Sequence, residues 1–193
     1  INQGQMLADL TTLADFQTRQ SYTQGCRDAG EWLRGEFENL GYDVMTQEHN
    51  PSMAPNVIAE KTGTTQADEI VIICGHYDSI SMQPETLAPG ADDNGTGTAA
   101  VLNAARVFSS SHFERTIRFI AFSGEEQGLR GSQYYSAEAV SMGENIVGVV
   151  NLDMIGNRVA AIMWGPKHVL LIIGRNKLCG DIEDAMFRIK NFA

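Results

Sequence analysis

Apolar residues recur along this chain in two periods, and stretches of the two kinds alternate. Met6, Leu7, Leu10, Leu13 and Phe16 fall at helical spacing, which predicts an amphipathic helix over residues 3–18. Ala29, Trp32, Leu33, Phe37 and Leu40 line one face of a second helix from Gln24 to Leu40, and Gly41 stands where such a helix ends. Strands are expected at Tyr42–Gln47 and Asn56–Lys61, around a turn holding Pro51 and Pro55, and at 70–75. Thr98–Phe108 reads as a helix of small residues able to pack close to a sheet. A strand follows at 116–123, a helix at Ser132–Val140, strands at 146–153, 159–164 and 168–173, and a last helix at Asp181–Phe192. Strands alternating with helices predict an α/β fold, a mixed and mostly parallel sheet sandwiched between helices. At 193 residues, with no internal repeat, the chain is expected to form one domain over 1–193.

The chemistry gathers where the apolar strands stop. Thr116–Phe122 runs into Gly124-Glu125-Glu126, Ile70–Cys74 into Gly75-His76-Tyr77-Asp78, and Asn145–Leu152 into Asp153. Along the chain, between the histidine strand and the glutamate pair, lies an acidic Gly-rich loop, Pro89-Gly90-Ala91-Asp92-Asp93-Asn94-Gly95-Thr96-Gly97, which opens a helix. Ligands bind at the carboxyl edge of such sheets. His76, Asp93, Glu126 and Asp153 are therefore the proposed metal ligands, an imidazole with carboxylates being a zinc-type catalytic set. Asp93, in a turn and with two oxygens, is placed to bridge two ions roughly 3.5–4 Å apart. Each residue alone has a plainer reading: a core histidine, a helix-capping or turn aspartate, a strand-end charge. The pattern raises them together. Adjacent carboxylates on a strand diverge, so Glu126 can bind a cation while Glu125 stays free as general base. Glu125 would take a proton from cation-activated water, whose pKa lies near ~7, and pass it to a leaving amine. Two residues apart on a strand, His76 and Asp78 share a face, so Asp78 can accept the second ring N–H and fix the tautomer.

Composition narrows the class. With 43% apolar and 20% charged residues the chain has the make-up of a globular protein, and no run of 18 apolar residues marks a membrane span. A net charge of −10 argues against nucleic acid as a partner. Three scattered cysteines make no disulfide framework, and Cys74 reads as a small core residue. The first residue, Ile1, is followed by no signal-like segment, as expected of a processed form or an excised piece. The one sequon, Asn94-Gly95-Thr96, lies in the acidic loop and reads as a chance match.

Four motifs, Gly75–Ser79, Pro89–Gly97, Phe122–Ser132 and Asn151–Gly156, together resemble the dizinc aminopeptidases of the bacterial leucyl aminopeptidase type. That zinc exopeptidase family also contains glutamate carboxypeptidase-like enzymes. The resemblance spans roughly residues 25–190 and implies a mixed sheet between helices. It implies that His76 and Asp153 hold one zinc, Glu126 belongs to the other, Asp93 bridges, Glu125 is the base and Asp78 orients His76. A peptide with a free N-terminus is the implied substrate, and a secreted or periplasmic setting the common one. The sequence departs from the pattern in one respect. The family's fifth ligand, a second histidine well beyond the position of Asp153, has no counterpart, since His49, His112 and His168 all lack its motif. The chain is thus expected to be C-terminally incomplete relative to the family. One tight zinc is expected, on the His76, Asp93 and Asp153 side, and like-charge repulsion is expected to raise a carboxyl near Asp93. Other readings remain: a catalytically impaired or fragmentary homologue with a binding role, or a carboxypeptidase-like or glutaminyl-cyclase-like enzyme on the same scaffold.

Overall fold

A computed structural model describes residues 2–153 and 168–172. The elements run α1 (Gln3–Asp15), α2 (Gln24–Asn39), β1 (Asp43–Gln47), β2 (Asn56–Lys61), β3 (Gln66–His76), α3 (Thr96–Phe108), β4 (Arg115–Phe122), α4 (Arg130–Met142), β5 (Asn145–Leu152) and β6 (His168–Ile172). The strands predicted at 159–164 and the helix at 181–192 lie outside the described residues. Among those described, six strands form one sheet in the order β1-β2-β4-β3-β5-β6. β1, β2 and β4 pair antiparallel, whereas β4, β3, β5 and β6 run parallel. The mixed, mostly parallel sheet expected from the alternating pattern is therefore present.

The central strands bury both faces, which is why they read as continuous apolar runs. On β4, Ile117, Phe119 and Ala121 face one core with Leu33 and Phe37 of α2 and Val101 and Leu102 of α3. Ile120 and Phe122 face the other, with Tyr135 and Ala139 of α4. Cys74 belongs to this second core, as expected of a small buried residue. Three aromatic rings, Phe37, Tyr42 and Phe119, pack edge-on and stacked at the heart of the first core.

Tertiary contacts account for the two largest boundary shifts. β3 starts at Gln66, four residues before the apolar run, because a register shift between Gln66 and Ile70 lets polar residues join the pairing with β4. α1 stops at Asp15 rather than 18. Gln17 turns into the left-handed region with φ 63, and its carbonyl accepts a 2.8 Å bond from Ala88 N. Residues 18–21 thus leave the helix and run beneath the loop that follows β3.

Candidate metal centre

Topology sets the position of the site. The chain leaves β3 to make α3 on one face, then leaves the neighbouring β4 to make α4 on the other. Adjacent strands whose connections depart to opposite faces open a crevice at their carboxyl ends. His76 is the last residue of β3, the Glu125-Glu126 pair follows β4, and Asp153 follows β5. Asp93 comes from the tight turn Ala91–Gly95 that leads into α3.

All the predicted ligand-type side chains meet there. The buried His76 ring places Nε2 3.1 Å from Asp93 Oδ1, 3.9 Å from Asp153 Oδ1 and 4.0 Å from Glu125 Oε2. Two groups of potential donors result, His76 with Asp93 and Asp153, and His76 with Glu125 and Glu126, the atoms in each lying within 4.8 Å of one another. The set is one imidazole with hard carboxylate oxygens, which suits zinc. Burial pushes the Glu126 carboxyl up to about 7, with the charge of Asp93 adding to it. Crowded carboxylates of this kind are relieved by a divalent cation. Repulsion was the expected cause of such a rise; desolvation is the larger one.

The glutamate pair reaches the site differently from the strand alternation expected of it. β4 ends at Phe122, and Gly124 takes φ 72, a left-handed conformation that glycine adopts without strain. Glu125 and Glu126 therefore sit in a turn, where period-two divergence does not apply, and both approach His76. Asp78 holds that turn. Its carboxylate, 0% exposed, accepts Glu125 N–H at 3.2 Å on one oxygen and Glu126 N–H at 3.1 Å on the other. The second oxygen also accepts from Ser21 Oγ at 3.0 Å. Nδ1 of His76 is 3.1 Å from the main-chain oxygen of Asp78 and 3.4 Å from its carboxylate. β3 ends at His76, so the shared-face geometry expected for residues 76 and 78 does not extend to Asp78. Burial raises the Asp78 carboxyl, but the hydrogen bond and charge of His76 and the two backbone N–H groups outweigh it and hold it below its ordinary value.

The metal loop is fastened to the next strand. Asn94 Nδ2 donates to Leu152 O at 3.0 Å and its Oδ1 accepts from Gly97 N at 3.2 Å. A Cβ on Gly97 would run into Asn94 Oδ1 and Leu152 O, so only glycine permits this approach of α3 to the end of β5. Asn94 belongs to the acidic Gly-rich motif. No sequence signal singled out Arg19 or Ser21, which lie in a polar stretch indistinguishable from a surface turn.

The other histidines do not complete a second site. The β5–β6 register sets His168 beside Gly148, four residues before the Leu152–Ile172 pair, so its backbone lies about 13 Å back from the carboxyl edge. His112 precedes β4, at the opposite edge. His49 follows β1 near Gly124, with both ring nitrogens buried, but it joins neither donor group.

The profile of "Peptidase family M28" matches residues 56–178, from β2 through all the ligand-type residues. This chain belongs to peptidase family M28. A "Probable zinc metalloprotease" of Pyrenophora tritici-repentis is 32% identical over 174 residues, covering 78% of this chain and 36% of that protein. A "Probable aminopeptidase" of Saccharomyces cerevisiae is 29% identical and covers 81% of the chain and 46% of itself. The crystal structure of Legionella pneumophila LapA aminopeptidase aligns with TM-score 0.72 and 26% identity over 83% of this chain and 45% of that one. The chain thus spans less than half the length of these relatives.

Proposed function

We propose that this chain carries the metal centre of a zinc-dependent aminopeptidase, which removes N-terminal residues from peptides. The single observation that carries the reading is the convergence of His76, Asp93, Asp153, Glu125 and Glu126 at one carboxyl edge of the sheet. Membership of M28 supports it. In this reading His76, Asp93 and Asp153 hold one zinc, and Glu126, with Asp93 shared, faces a second. Zinc bound there supplies Lewis-acid polarisation of the scissile carbonyl and of the attacking water.

The remaining work falls to the chain's own groups. Glu125 is partly buried, with Oε2 4.0 Å from His76 Nε2, and acts as the general base. It takes one proton from the water as the C–O bond forms and gives it to the amine nitrogen as the C–N bond breaks. Asp78 fixes the Glu125-Glu126 backbone from below and anchors the His76 ring through its carbonyl. Among the described residues both donor groups share the one imidazole of His76, whose Nε2 lies 3.1 Å from Asp93 Oδ1, so in this reading the first zinc is tight and the second, left with carboxylates, weak. The reading carries an extracytoplasmic setting, secreted or periplasmic. No helix among the described residues is long and apolar enough to cross a membrane.

The test is Glu125→Gln. Hydrolysis of aminoacyl-chromophore substrates should be abolished while zinc content measured by mass spectrometry stays as in the unaltered protein. Loss of zinc in that variant would make Glu125 a ligand and overturn its role as base. Calorimetric titration should show one tight zinc event per chain, and two equivalent tight events would refute the asymmetry.

A further inference from the structure

The polar stretch Thr18–Ser21 lies outside the M28 match at 56–178, yet it touches three of the four segments that build the centre. Arg19 is 0% exposed. Its guanidinium donates to Tyr77 O at 2.7 Å, Pro89 O at 2.6 Å and Gly90 O at 3.0 Å, and to Leu13 O at 2.6 Å. Those carbonyls belong to the exit of β3, just after His76, to the entrance of the loop bearing Asp93, and to α1. Main-chain pairing reinforces the clamp, with Ser79 N–H donating to Arg19 O at 3.0 Å. No ion pair to Arg19 is present among the described residues, and the hydrogen-bond acceptors of its guanidinium there are all main-chain oxygens. Burying a charge on carbonyls alone is costly unless the geometry returns something.

Ser21 performs the matching task on the glutamate side. Its hydroxyl, also 0% exposed, lies 3.0 Å from Asp78 Oδ2, accepts the Gly124 N–H at 3.1 Å and touches the side-chain amide of Gln127. It therefore joins Asp78 to both flanks of the turn that presents Glu125 and Glu126. Nothing in the core requires a serine at this place, since a small apolar residue would fill the same volume.

We propose that Arg19 and Ser21 are positioning residues of the metal centre. Arg19 sets the separation of His76 and Asp93, and Ser21 sets the attitude of the Glu125-Glu126 turn through Asp78. The proposal rests on the zinc reading above and extends it to residues that touch neither metal nor substrate. Planarity is the reason for arginine: a fork of fixed N–H directions reaches four carbonyls at once, whereas a lysine ammonium has three donors and no such span.

The test uses the full chain with Arg19→Lys, Ser21→Ala and, as a stability control, Ile117→Ala at the far end of β4. Cobalt(II) replaces zinc as a probe whose visible absorption reports ligand geometry. Arg19→Lys and Ser21→Ala should each bind cobalt 10–100-fold more weakly and give an altered spectrum. In metal-free protein, the Glu125 and Glu126 amides of Ser21→Ala should exchange with deuterium at least about tenfold faster, having lost the support of their acceptor. Ile117→Ala should lower the melting temperature and leave cobalt affinity, spectrum and these two amides unchanged. Wild-type cobalt affinity and exchange in Ser21→Ala would overturn the proposal, as would the same changes in Ile117→Ala. If Arg19→Lys does not fold, Ser21→Ala, which removes one hydroxyl, decides. A wild-type chain that takes up no cobalt overturns the zinc reading, and the amide exchange of metal-free protein then decides the positioning role by itself.

Discussion

Replacing Asp78 by asparagine keeps the shape of a fully buried side chain and removes its charge and one acceptor. The carboxylate accepts Glu125 N–H on one oxygen and Glu126 N–H and Ser21 Oγ on the other. An asparagine oxygen can replace the second oxygen and keep two of these bonds. Its NH2 group must then face Glu125 N–H and His76 Nδ1, where acceptance was needed. One hydrogen bond to a charged acceptor is lost, worth about 1.5–3 kcal/mol, and a partly buried donor is left without a partner at about 1–3 kcal/mol. These terms overlap, and removing a negative charge relieves Glu126, whose carboxyl Asp78 helps to push up. A net loss of about 2–4 kcal/mol is expected at neutral pH. Urea unfolding of metal-free protein followed by circular dichroism measures it. The pH dependence adds a check with a definite sign. The folded Asp78 carboxyl lies below its ordinary value of 3.8, so its stabilisation is fully present above that value and is lost as pH falls through the folded value. Between about 7 and 4.5 the gap also carries the repulsion of Asp78 and Glu126 and widens modestly as Glu126 takes up its proton, and below the ordinary carboxylate range it should close. A gap under about 0.5 kcal/mol at pH 7, or one that stays open well below the ordinary carboxylate range, would show that Asp78 does not hold the turn in the way its contacts imply.

Three further outcomes follow from the same contacts. Glu126, pushed up to about 7 from an ordinary 4.5, binds more protons folded than unfolded between those values, so metal-free protein should lose stability as pH rises through that window; Glu126→Gln should flatten the slope, as chemical denaturation at several pH values will show. Gly97→Ala should destabilise by about 2–4 kcal/mol and weaken zinc binding, because the new methyl must displace Asn94 or the Leu152 carbonyl; unchanged melting and zinc titration would count against that packing. Arg118 bonds Glu60, Glu144 and the Tyr135 hydroxyl beneath α4, so Arg118→Met should cost about 1–3 kcal/mol by leaving partly buried carboxylates unpaired, while cobalt spectra remain those of the wild type.

The sheet and the ligand-type residues were legible because both write short-range patterns. Apolar runs at 70–75, 116–122 and 146–152 stop at histidine, glutamate and aspartate, and a parallel sheet brings such stops to one edge whatever its strand order. Strand order itself, with β3 inserted between β4 and β5, leaves no local mark, and neither does the tilt of the Glu125-Glu126 pair. Strand periodicity predicted divergence there, and Gly124 with its positive φ cancels it. Arg19 was out of reach for a deeper reason. Its partners, Tyr77, Pro89 and Gly90, lie 58 to 71 residues away and offer only main-chain oxygens, which every residue type possesses. A side chain that recognises backbone leaves no complementary residue in the sequence.

That asymmetry bears on how the centre is built. The residues that can hold metal sit at element ends, where the sheet brings them close but fixes them poorly, since His76 is the last paired residue of β3 and the others follow their strands or lie in a turn. Their placement is completed by bonds to backbone: Asp78 on the amides of Glu125 and Glu126, Asn94 on Leu152, Arg19 on Tyr77 and Gly90. Such bonds persist when neighbouring side chains change, because the main chain is invariant. They fail when the backbone path shifts by an ångström, since a hydrogen bond tolerates little more than 0.5 Å of lengthening. Substitutions beside the ligands should therefore be tolerated more readily than insertions into 77–97 or 122–131, even though both segments are largely loop.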